Sequence, residues 1–152
     1  MAKLTVNEAS GDFTHVVVLS AAEIVAIGNG GQDTILTLPA GSAIDLCGVV
    51  NSVDIVGSSS LVIDVGTTTA DPDEFIDALD VDAMTVNLPT FNTGDLFVQG
   101  AGTTTTLGGS LPVKAVSADT EVVIEITDAA AASITAGEII IGFRVIDLSR
   151  FF

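Results

Sequence analysis

The chain has 152 residues, with 20 Asp and Glu against 4 Lys and Arg, and its net charge of −16 repels phosphate backbones and excludes nucleic acid as a partner. Apolar residues make up 48% before 15 Gly are counted, and charged residues only 16%, against usual shares of about 45–50% with Gly included and about 25%. A monomer so poor in charge would have trouble dividing its apolar surface into small patches, which predicts a homo-oligomer.

The opening "MAKLTVNEASG" lacks the apolar run and cleavage site of a signal peptide, and residues 1–12 read as an N-terminal arm of one domain spanning 1–152. The longest mostly apolar stretch, "HVVVLSAAEIVAI", contains His, Ser and Glu and is too short to span a membrane, so no membrane partner is expected. Period-two alternation predicts strands at "FTHVVVL" (13–19), "DTILTL" (33–38) and "AIDLCGVV" (43–50). In "LVIDV", Leu61, Ile63 and Val65 face inward and Asp64 outward. Further strands are expected at "DLFVQ" (95–99) and "LPVKAV" (111–116). In "EVVIEIT", Val122, Ile124 and Ile126 share one face, with Glu121, Glu125 and Thr127 on the other. In "EIIIGFRVI", Ile139, Ile141, Phe143 and Val145 oppose Glu138 and Arg144. Turn signals such as "GNGGQD", "LPAGS", "NTGD" and "GAGTTTTLGGS" separate these runs. About eight short strands with Gly-rich turns predict an all-β sandwich or barrel, with a short helical turn near 21–26 or 129–134.

One segment breaks the pattern. "GTTTADPDEFIDALDVD" (66–82) holds six acids. Asp71 as N-cap, Pro72 at the first helical position, acids in the first turn and Glu74 closing a capping box predict a helix over 71–80. Phe75, Ile76 and Leu79 would lie on one side of it. An EF-hand counted from Asp71 fails, because Phe75 and Ile76 occupy the fifth and sixth positions, where Asp or Asn and then Gly are needed. An irregular calcium site at 71–82 is the rival reading, and a catalytic carboxylate pair lacks any accompanying signature.

Single residues that could carry chemistry have ordinary roles open to them. His15, the one histidine, sits on a strand with Phe13 and Val17 and is expected to be half-buried packing. Cys47, the one cysteine, forms no intrachain disulfide and reads as a small core residue. "NTGD" (92–95) lacks the Asp of an aspartic protease, because Asn92 stands in its place. "GAGTTTTLGGS" lacks the Lys of a phosphate loop. With no Trp or Tyr, aromatic sugar platforms are missing. No catalytic residue, cofactor or metal is assigned, and enzyme activity is the least favoured class.

"DTILTLPAGSAIDLCGVV", "LVIDVGTTTADPDEFIDALDVD" and the closing "VKAVSADTEVVIEITDAAAASITAGEIIIGFRVIDLS" together resemble small head proteins of tailed bacteriophages. Some of that group are jelly-roll decoration, or cement, proteins that sit as trimers on the outer capsid shell. The resemblance covers roughly residues 33 to 148. It implies a jelly-roll-like β-sandwich with one or two short helices, and a non-enzymatic virion protein. Such a protein is made in the host cytoplasm and binds the major capsid protein on the capsid's outer surface as a homotrimer. A tail or receptor-binding module and a calcium-dependent adhesion module are the alternatives. The end "LSRFF" (148–152) is a C-terminal anchor if Phe151 and Phe152 grip a neighbouring subunit or the capsid while Arg150 pairs with an acid. It could equally fold back on its own sandwich, or stay disordered as chain ends do by default.

Overall fold

Alternating apolar side chains build two antiparallel sheets that close on one core. The computed structural model describes residues 3–5, 13–67, 69–97 and 113–151. The first sheet contains β1 (Lys3–Thr5), β2 (His15–Ser20), β10 (Ala136–Asp147) and β4 (Ser42–Val56), in that order. The short strands β7 (Thr90–Phe91) and β8 (Lys114–Ala115) both pair with β4. The second sheet runs β3 (Gly31–Leu38), β9 (Thr120–Thr127), β5 (Val62–Gly66), β6 (Ile76–Asp80). The pairs β2 with β10, β3 with β9, β4 with β7 and β8, and β5 with β6 nest inside one another along the chain. That nesting, wound over two sheets, is the jelly roll.

The faces read from the alternation are the faces that form. Val122, Ile124 and Ile126 on β9 and Ile139, Ile141 and Phe143 on β10 are fully buried, and Val145 packs against the same core. Leu61, Ile63 and Val65 meet them from the second sheet. Phe75 bridges the layers, edge-on to Phe143 at 6.3 Å and tilted against Phe97 at 6.5 Å.

The helix α1 (Ala21–Ile27) follows β2, and 3-10 turns occupy Ala131–Ser133 and Ser149–Phe151. Glu23 fixes the start of α1 by accepting from the Ser20 amide and hydroxyl, both at 2.7 Å. The Ser-Ala-Ala-Glu spacing of a capping box is what starts this helix.

Several expected elements differ. No helix forms over 71–80: residues 71–75 are irregular and Ile76–Asp80 is β6. The local signal loses to long-range bonding. Gly94, Asp95 and Leu96 amides donate to the carbonyls of Phe75, Asp73 and Glu74, and the Phe75 amide donates to Val65 O. Those backbone groups are therefore unavailable to a helix. Glu74 closes no capping box either. The strand expected at 95–99 is a turn over 95–97, with 98 and 99 outside the described residues. Of 111–116, Lys114–Ala115 pairs as strand. β4 runs on to Val56, beyond the expected 43–50. From the expected arm, Lys3–Thr5 pairs with β2.

Two substitutions check this arrangement. Phe75→Ala, emptying a site between the layers, lowers unfolding free energy by about 3–5 kcal/mol in urea titrations. Asp71 is exposed and no helix follows it, so Asp71→Ala stays within about 0.5 kcal/mol. A loss well above about 1 kcal/mol at Asp71 would restore the cap.

Candidate functional site: the interaction surfaces of the sandwich

The acidic segment is a structural clasp. Glu74 accepts from the Thr67 amide at 2.6 Å, the Thr67 hydroxyl at 2.7 Å and Lys114 Nζ at 3.1 Å. Burial opposes its ionisation, but the Thr67 and Lys114 contacts outweigh burial and hold its carboxyl below the ordinary range. Lys114 thereby ties the 71–75 segment to the strand that flanks β4. Nearby, burial and the charges of Asp77, Glu125 and Asp71 push the Asp64 carboxyl upward, against the bond from the Ala78 amide. Burial, Asp71 and Asp95 push Asp73 upward as well. Among the described residues, no group of three or more His, Cys, Asp or Glu is placed to hold a metal ion, so the calcium reading of 71–82 gains no geometry.

The other singled-out residues occupy packing positions. His15 is half-buried beside Thr14, whose hydroxyl oxygen lies 2.9 Å from Nδ1, and burial lowers its pKa against the opposing charge of Asp147. Cys47 is fully buried, and burial pushes its thiol far up, away from reactivity. Asn92 Oδ1 accepts from the Cys47 amide at 2.8 Å, which fixes the "NTGD" turn against β4. His15 and Cys47 lie on one cross-strand row with Phe143 between them.

The outer faces of the two sheets differ in chemistry. On the second sheet, Asp64 lies directly opposite Glu125, and Glu125 opposite Gln32, whose Nε2 donates to it. Like charges across strands are unfavourable, and here they make an acidic face. On the first sheet, the residues between the buried Val17, Leu19, Ile139, Ile141, Cys47 and Val49 point outward. They form two apolar rows: Val18–Ile140–Val50 and Val16–Gly142–Gly48. The glycine rungs are covered by rings. A Cβ at Gly142 would lie 2.7 Å from Phe13, one at Gly48 would lie 2.7 Å from Phe91, and the two rings stack at 6.2 Å and 10°. Sequence reasoning missed this face. The signal was a Gly inside each of two strong strands, "CGVV" and "IGFR", which marks a close approach.

The chain end forms a third surface. Ile146, Leu148 and Phe151 are 42%, 48% and 80% exposed, so the Phe151 ring does not fold back onto its own sandwich. Phe152 and the Arg150 side chain lie outside the described residues.

No family model and no curated protein matches the chain. Among solved structures it is similar to a chain of the "Acidic stable capsid structure of Helicobacter pylori bacteriophage KHP30", at 16% identity and a TM-score of 0.49, over 96% of this chain and 97% of that one. Likeness at that level leaves partner and activity to the chain's own surfaces.

The acid pattern predicts opposite pH behaviour at two positions. Asp64 is raised, so its charge costs stability at neutral pH, and the cost disappears as pH falls through the raised value. Asp64→Asn, which keeps the acceptor for Ala78, raises the melting temperature at pH 7, and the gain vanishes below pH of about 4. Glu74 is lowered, so its stabilisation is present at neutral pH and lost as pH falls through its folded value. Glu74→Gln lowers the melting temperature at pH 7, and the difference closes in acid. Thermal melts from pH 3 to pH 8 read both signs.

Proposed function

We propose that this chain is a non-enzymatic structural protein of a phage virion, a decoration or cement protein on the outer surface of the capsid. It is made in the host cytoplasm and binds the shell of the major capsid protein as a homo-oligomer, a trimer by the resemblance above. The sequence motifs quoted above, the jelly-roll sandwich and the acidic outer face support this reading. The observation that carries it is the apolar chain end. Ile146, Leu148 and the 80% exposed Phe151 stand in water on a chain whose net charge is −16.

Burying one Phe side chain is worth about 1.5–3 kcal/mol, and an oligomer repeats the contact on one shell, where linked sites raise avidity without new chemistry. Stabilisation then follows from mass action. A protein that binds the assembled shell and not its free subunits contributes about 2.7 kcal/mol at a hundredfold excess over Kd. Arg150 and Phe152 belong to the same anchor, with Arg150 pairing with an acid of the partner.

Deleting Phe151 and Phe152 tests the anchor. The truncated protein keeps its melting temperature within about 2 °C, because an exposed ring contributes little to its own core. It loses co-sedimentation with empty shells of the phage's major capsid protein. Retained shell binding, or a melting temperature several degrees lower, contradicts the reading.

A further inference from the structure

We infer that the outer face of the β2–β10–β4 sheet is a self-association surface, covered in solution by a second copy of this chain. The face is apolar across three strands: Val16, Val18, Ile140 and Val50, with the stacked rings of Phe13 and Phe91 lying over Gly48 and Gly142. An outward sheet face in contact with water normally alternates to polar residues, and these rows do not. The ring of Phe91 remains 47% exposed.

The distribution of charge selects the occupant. Each copy carries a net charge of −16, so two copies can meet stably only through a surface that keeps their acids apart. Across β2, β10 and β4 the two rows contain no ionisable group, and the first row ends at its β1 edge on Lys3, a cation placed opposite Val18. Beyond them, Arg144 is held bidentate by Asp45, at 2.7 and 2.9 Å, and Glu138 accepts from Ser52 Oγ at 2.7 Å. The acids of the second sheet, Asp64 and Glu125 among them, lie on the far side of each sandwich. Packed sheets are about 10 Å apart, so apposing the two apolar faces leaves the acidic faces on the order of 30 Å apart. That is several times the Debye length of about 8 Å at physiological salt. A contact through the second sheet would instead desolvate facing carboxylates.

This inference rests on the self-association within the proposed function and not on shell binding, so the two fail separately. The test uses the full chain alone, by sedimentation velocity from about 1 to 200 μM in 150 mM salt. The unchanged chain associates. Val18→Asp combined with Val50→Asp places like charges in the contact and weakens association by about a hundredfold or more. Thr127→Asp on the second sheet leaves association unchanged. A single-site reporter covers the case in which the double variant does not fold. The chain has no Trp, so Val18→Trp adds one fluorophore, whose emission shifts to the blue as concentration rises. A monomer throughout, or association indifferent to the two acids, overturns the inference. Emission already blue and independent of concentration assigns the cover to the same chain and overturns it as well. Shell binding that fails while self-association persists refutes the decoration role and leaves this surface standing.

Discussion

From Ala136 opposite Val56 to Asp147 opposite Ser42, β10 and β4 run as one antiparallel ladder, and the remaining elements are placed by it. β10 also pairs with β2 on its other edge, which brings the first and last strands of the roll together. Its inward residues Ile139, Ile141 and Phe143 supply one wall of the core, and Phe143 receives Phe75 from beneath the second sheet. The same strand carries Gly142 opposite Gly48, the rung on which Phe13 and Phe91 rest. One ladder therefore sets both the packed interior and the apolar exterior. Its sequence-distant pairing means that neither surface exists until the chain ends meet.

How legible this was depended on whether the deciding interaction was local. β9 and β10 were plain because every second residue is apolar and acids stand at several of the alternate positions, Glu121, Glu125 and Glu138 among them. β4 read short because Asn51 and Ser52 interrupt the pattern. Asn51 is nevertheless buried, donating to Val81 O, and Ser52 bonds to Glu138 across the strands. The segment from Asp71 read as a helix because its caps are correct for one. Strand β5 and the 94–96 amides claim its backbone instead, and that competition is invisible in the segment itself. Meanwhile the capping box at Ser20 and Glu23, with the same local grammar, does start a helix, whose backbone bonds close within it as far as the Gly28 amide on Ile24 O.

The surfaces were less legible than the fold. Composition indicated that apolar area must be hidden, but not where. The register of three strands located it, by putting Val18, Ile140 and Val50 side by side. The acids that first suggested a metal or catalytic site divide into two physical roles. Glu74 and Asp128 accept several bonds each and tie loops to strands. Asp64, Asp73 and their neighbours repel one another on the outside. The second group destabilises the fold slightly at neutral pH, since burial and like charges oppose its ionisation.

In the proposed orientation the chain end contacts the shell while the acidic sheet faces water. Hydrogen–deuterium exchange of the protein, free and bound to empty shells of a phage major capsid protein, reads this directly. Added protection is predicted for the amides of 146–151, with none in the 71–75 loop beside the acidic face. Protection of that loop, with the chain end exchanging as fast as in the free protein, would contradict the orientation and the anchor together.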